Sequence, residues 1–188
     1  MFNAAAGSFR ETIRPNAENA ALIHAARAEL AQLALSGSGG SNSYIAVHIR
    51  RGDRKPSSFR FRGNYVPITD FANAVVETWT RLHPDRTGDQ PLVYVASDAP
   101  SALLEFSNLL SVRYRPFSLS QSNDPHLRAL ASPVEYRQKD FNELEDNVRI
   151  HATRGMIVDF ALISGVWAWN KEIYPDAVVC TVRCVICG

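Results

Sequence analysis

No stretch of roughly 18 or more apolar residues occurs in the sequence, so no membrane-spanning helix is expected and no direct membrane contact follows from it. The first residues, MFNAAAGSFRETIRP, have neither the charged start nor the continuous apolar centre of a secretion signal. Cysteine is scarce: Cys180, Cys184 and Cys187 are the only three, all in the last nine residues. An odd count excludes a fully paired disulfide framework, and Cys184-x-x-Cys187 offers only half of the roughly four ligands a structural zinc needs, so no metal site is expected. A dominant charge is missing as well. With 20 Lys and Arg against 19 Asp and Glu, the formal net charge of +1 excludes broad attraction to nucleic acid or an anionic membrane. Any anion binding must be local.

What is present is an ordinary globular composition, with 46% hydrophobic and 21% charged residues over 188 positions. That fits one domain, residues 1–188, with its core between 43 and 182. Residues 16–35 have Ala, Leu and Glu at helical spacing and predict a long helix opening near Asn16, on which His24 reads as a face residue rather than a ligand. The Gly/Ser-rich 36–43 is a connection into a strand, and 68–82 predicts a crossover helix with Phe71, Val75, Val76, Trp79 and Leu82 near one face, stopped by His83-Pro84. Pro91–Ala96 predicts a second buried strand, 101–110 a helix, 112–117 a third strand, 153–166 a further helix and Ala177–Val182 a last strand. Between 118 and 146 the polar sequence reads as a long irregular connection with short helical pieces, its acidic residues forming a solvated face. Alternation of strands and helices makes this an α/β protein with a Rossmann-like parallel sheet flanked by helices. A doubly wound sheet continues into a helix after its last strand, so the unit is expected to be cut short near its C-terminus.

The chemistry concentrates in Tyr44–Arg54, YIAVHIRRGDR, where a β-branched strand stops at His48, Arg50, Arg51, Asp53 and Arg54. Ligands of open α/β sheets bind at the carboxyl ends of the strands, and paired guanidinium groups there point to an anion. The following KPSSFRFRGNYVP, with Arg60 and Arg62 between Phe59 and Phe61, reads as a loop lining the same site rather than a nucleic-acid patch. Asp98, just past the second strand, is either a turn or cap residue or a ligand group. Asp159 interrupts an apolar helix, so it either pairs with Arg149 or Arg154 or reads hydrogen-bond donors in a pocket. Arg51-Gly52-Asp53 also spells an adhesion tripeptide, but it follows directly on a buried strand and is short enough to recur by chance.

Three blocks in order, HIRRGDR at His48–Arg54, VYVASDAPSALLEF at Val93–Phe106, and RGMIVDFALIS with AVVCTV, resemble the donor-binding half of the fucosyltransferase superfamily. That superfamily includes α1,6-fucosyltransferases, nodulation fucosyltransferases and protein O-fucosyltransferases. The resemblance implies the C-terminal, Rossmann-like half of a GT-B glycosyltransferase, a GDP-fucose donor and inverting, metal-independent transfer without a cofactor to a glycan or protein acceptor. It further implies that His48 contributes to the guanine pocket and that Asp159 accepts hydrogen bonds from the guanine ring. Arg51, Arg54, Asp98 and Thr181 are donor-binding positions by the same match. Arg50 is the group that holds the departing diphosphate, since a planar guanidinium aligns two hydrogen bonds with phosphate oxygens. Arg51 alternates away from Arg50 and is expected to brace the site or pair with Asp53.

The chain departs from the family pattern at several points. Lys55–Ser58 holds no acidic residue, which leaves Asp53 as the nearest carboxylate for catalysis and the base otherwise unassigned. Cys180-Thr181-Val182-Arg183-Cys184 stands where the family has a serine pair, and WAWNKEIYPD is inserted before the last strand, with Trp167 and Trp169 as packing anchors or rim residues. The N-terminal, acceptor-presenting half of such an enzyme has no counterpart, so little independent transfer is expected. Full-length members of the family are often Golgi or endoplasmic reticulum enzymes, whereas nothing in the chain fixes a compartment. The alternative reading is a degenerate, non-catalytic domain with a folding or protein-interaction role.

Overall fold

A computed structural model describes residues 12–37, 43–53, 55, 63–86, 89–110, 112–168, 172–180 and the backbone of 183–186. Arg54, Thr181, Phe59–Arg62, Trp169 and Cys187 lie outside the described residues.

The elements run α1 (Ala17–Leu35), β1 (Ser43–Ile49), α2 (Ile68–Leu82), β2 (Leu92–Ser97), α3 (Pro100–Leu110), β3 (Arg115–Phe117), α4 (Pro125–Ala129), α5 (Gln138–Asn142), α6 (Asp146–Ser164), β4 (Tyr174–Cys180) and β5 (Arg183–Ile186). The sheet order is β3-β2-β1-β4-β5, in which the first four strands are parallel and β5 is antiparallel to β4. The expected Rossmann-like α/β architecture is therefore present, with β1, the strand carrying the arginine motif, at its centre. Among the described residues no helix is long and apolar enough to cross a membrane.

Alternation along the strands sorts the core into two layers. Tyr44 and Ala46 of β1, Tyr94 and Ala96 of β2, Phe117 of β3 and Val178 of β4 pack against α1 and α6. Ile45, Val47, Ile49, Val93, Val95 and Val179 pack against α2 and α3. Both sheet faces are covered, which is why the strands read as continuous apolar runs rather than alternating ones. On α2 the buried set is Ile68, Phe71, Ala72, Val75, Thr78 and Trp79, whereas Val76, expected on that face, lies next to Val75 around the helix and is exposed.

Local chemistry sets the boundaries. Asn16 caps α1 by accepting from the Asn19 amide at 2.9 Å. Helix α6 starts seven residues before the expected Thr153, because its first two turns are solvated and carry no apolar period. Asp146 at the helix start and its ion pair with Arg149 stabilise those turns instead. The expected last strand, Ala177–Val182, is shifted to Tyr174–Cys180 and takes in part of the inserted segment. Pro175 enters this strand where the pairing register with β1 shifts between Tyr44 and Ile45, an irregularity that tolerates a missing ladder donor. In place of an onward helix, the chain returns as β5, with Arg183 opposite Cys180.

A buried arginine that the sequence does not advertise locks α1 to the end of α6. Arg27 is 1% exposed and donates to the carbonyls of Ala161 (3.1 Å), Val166 (2.6 Å) and Trp167 (2.5 Å), and to Glu172 Oε2 (3.1 Å). Ala161 also accepts the Gly165 N–H at 3.1 Å, whereas Val166 and Trp167 lie beyond the helix, so the guanidinium acts as a side-chain cap on the end of α6. Burial lowers its pKa, and neighbouring Glu172 opposes that shift. Trp167 is buried and donates from Nε1 to the Ile13 carbonyl, making it a packing anchor.

Candidate functional site

The arginine motif begins where β1 leaves the sheet. His48 stands in register between Ala96 of β2 and Cys180 of β4, and its place in the alternation puts it on the α6 face with Tyr44 and Ala46. It is partly buried, and that burial lowers its pKa, with Asp98 opposing the shift and Arg50 reinforcing it. His48 is therefore neutral at neutral pH and can either donate or accept a hydrogen bond.

Two residues further on, Arg50 Nε lies 3.0 Å from Asp98 Oδ2, and Arg50 Nη2 lies 3.7 Å from Asp53 Oδ1. The 3.0 Å pair is close but poorly aligned: both atoms are shut off from solvent and, among the described residues, neither makes a hydrogen bond. The other Asp98 oxygen, Oδ1, accepts the Arg51 backbone N–H at 2.6 Å. Arg50 keeps 31% of its side chain exposed against 11% for Asp98, so the arginine, not the aspartate, is what an incoming ligand can touch. Asp98 acts here as a tether for the Arg51 backbone and stands against Arg50.

Of the two roles expected for Arg51, bracing the site or pairing with Asp53, the pairing is not the one seen: Asp53 is approached by Arg50 and accepts the Gln138 backbone N–H on Oδ2 at 2.9 Å. The Arg51 guanidinium lies 4.8 Å from the centre of the Tyr65 ring, over which Lys55 Nζ also stands at 5.6 Å. The Tyr65 hydroxyl donates to the Gly52 carbonyl. Gly52 has φ +40°, and a Cβ there would lie 2.5 Å from the Tyr136 carbonyl oxygen and 2.8 Å from Asp98 Oδ2. Only glycine fits this turn, both for its backbone angle and for the chain that passes against it.

Asp159 is separate from the arginines. Neither sequence-derived ion pair forms, because Arg149 pairs with Asp146 and Arg154 with Glu18. Asp159 Oδ1 accepts the Tyr94 hydroxyl at 2.5 Å, and burial pushes its carboxyl up to about 7 while that hydrogen bond pulls it down. Burial and the adjacent carboxylate push the Tyr94 phenol well above its ordinary value. The Asp159 carboxyl lines a cleft of about 270 Å³ at the carboxyl ends of β2 and β3, together with Ser97, Leu103, Ser107, Ser118 and Gln121. Apolar walls with several hydroxyls and one carboxyl suit a flat heterocycle that donates hydrogen bonds.

The fold thus brings His48, Arg50, Arg51, Asp53 and Asp98 to one edge, and Asp159 to an adjacent cleft that His48 does not line. Tyr65, Tyr94, Tyr136 and Gln138 were not legible as site residues. Tyr94 reads as one more core residue of a strand, and the others sit in segments without periodicity, brought to the motif only by the fold. Among the described residues no three His, Cys, Asp or Glu side chains converge as metal ligands. Compared with known proteins, the chain matches no family model, and no curated protein matches it.

Proposed function

We propose that the domain binds a guanosine diphosphate sugar, with GDP-fucose as the donor suggested by the sequence resemblance, and that it serves metal-independent, inverting fucosyl transfer to a glycan or protein acceptor. The observation that carries this reading is the placement of a reachable Arg50, with Asp98 against it, at the carboxyl edge of a parallel sheet beside the cleft lined by Asp159. In this reading Arg50 takes the diphosphate by charge-assisted hydrogen bonds and stabilises the charge that grows on it as the glycosidic bond breaks. Ionised Asp159 accepts from the two adjacent N–H donors of guanine, while neutral His48 stands outside that cleft with the arginines. Asp53 is the nearest carboxylate to Arg50 for a role as base.

One observation favours a second reading. Arg50 is flanked by two carboxylates, Asp98 and Asp53, which compete with a phosphate for it. A non-catalytic domain retained for folding or protein interaction keeps such pairs permanently closed. Calorimetric titration with GDP and GDP-fucose, with ADP as control, separates the two: the donor-binding reading expects saturable, guanine-selective binding, and its absence in folded protein favours the second.

A further inference from the structure

The segment between α4 and α5 crosses the arginine motif as a strap. Tyr136 donates its backbone N–H to the Asp98 carbonyl at 2.8 Å, and Gln138 donates its backbone N–H to Asp53 at 2.9 Å. The strap backbone passes so close to Gly52 that a side chain there would collide with the Tyr136 carbonyl. Two hydrogen bonds therefore hold the segment against Asp53 and Asp98, and its backbone passes closely over Gly52. The ring of Tyr136 lies under the guanidinium, with Arg50 Cζ 5.3 Å from its centre. The ring is itself fixed, since the hydroxyl donates to Gln138 Oε1 at 2.9 Å and Phe141 packs against it at 5.5 Å between centres.

Arg50 has a flat group with two faces and a donor-bearing edge. Asp98 approaches at Nε, Tyr136 covers one face, and Asp53 stands 3.7 Å from Nη2, beyond hydrogen-bond distance, so the donors of the outer Nη groups are not taken up by Asp98 or Tyr136. Those are the donors that grip a phosphate bidentately. We infer that Tyr136 is a positioning residue that holds the Arg50 guanidinium in the orientation that receives a diphosphate, and that the strap carrying it is a built part of the anion site. This rests on the nucleotide-binding reading above. The ring acts through its π face, and Phe141 still packs against it when the hydroxyl bond to Gln138 is removed, so the hydroxyl matters less than the aromatic ring.

The test compares Tyr136→Phe and Tyr136→Leu by titration with GDP and, separately, with guanosine, which lacks the diphosphate. Tyr136→Leu is expected to weaken GDP binding by about three- to tenfold, the range of a cation–π contact at a partly exposed site. Tyr136→Phe is expected to stay within about twofold of the parent, and guanosine binding to be the same in all three proteins. A change in guanosine binding equal to that in GDP binding indicates general disorder of the site and overturns the assignment. So does Tyr136→Leu binding GDP as the parent does. Failure of the parent protein to bind GDP at all overturns the nucleotide reading itself and the phosphate role of Tyr136 with it. Proton NMR gives a readout that needs no ligand: the ring current of residue 136 shifts the Arg50 side-chain resonances in the parent and in Tyr136→Phe, and the shift disappears in Tyr136→Leu. Arg50 resonances unmoved by Tyr136→Leu contradict the placement directly.

Discussion

Arg50 and Asp98 stand 3.0 Å apart across the ends of β1 and β2, with neither atom of the contact aligned for a hydrogen bond. A close, poorly aligned pair gains less than a well-formed one and leaves buried hydrogen-bonding capacity unmet. Its geometry suits a group held ready for a third partner rather than a finished structural ion pair. Asp98 is fixed from the other side by the Arg51 amide, so movement of the pair falls on Arg50.

Gly52 is where the motif and the strap touch. Gly52→Ala forces a side chain into a left-handed turn and against the Tyr136 carbonyl. It is expected to cost about 1–3 kcal/mol in stability, the range for strained backbone, and to displace the strap. Urea denaturation measures the first effect. Loss of the Tyr136 ring-current shift on Arg50 reports the second.

Arg27 tests what joins α1 to the end of α6. Arg27→Ala leaves the carbonyls of Ala161, Val166 and Trp167 and the carboxylate of Glu172 without this partner. Removing one member of a buried charged pair costs about 3–5 kcal/mol, so a large fall in the urea midpoint is expected. Arg27→Lys is expected to recover little, because one ammonium cannot reach four acceptors spread around a planar fork.

Asp159 gives a pH dependence of defined sign. Its folded-state carboxyl stands at about 7 against an ordinary value of 3.8, so between those pH values the native chain holds a proton that the unfolded chain has released. The stability this confers is full below about pH 4 and is lost as pH rises to about 7. Asp159→Asn cannot ionise, so it is expected to be more stable than the parent at pH 8 and equal to it near pH 4, as measured by urea denaturation at both. Guanine presents donors that need the ionised carboxylate, so GDP affinity in the parent is expected to rise with pH through about 7, and Asp159→Asn to lose that rise.

The order of strands and helices was legible because both sheet faces are covered, which leaves β1, β2 and β4 as apolar runs between polar breaks. The cluster at the end of β1 was legible for a related reason: a strand that stops at His48, Arg50 and Arg51 has little choice of environment. The early start of α6 was hidden because its first turns are solvated and held by charge rather than burial. Return of the chain as β5 was hidden because strand direction follows from the connection, not from side-chain pattern. Tyr136, Gln138 and Arg27 share a deeper reason. Each acts through backbone groups or ring faces of residues distant in sequence, and such pairings leave no local period.

In the proposed reading Arg50 receives the diphosphate, and calorimetric titration of GDP into the parent protein and into Arg50→Ala measures this directly. Saturable binding by the parent, weakened about tenfold or more in Arg50→Ala as expected for loss of charge-assisted hydrogen bonds, is the predicted result. No binding by folded parent protein, or equal binding by the two, contradicts it.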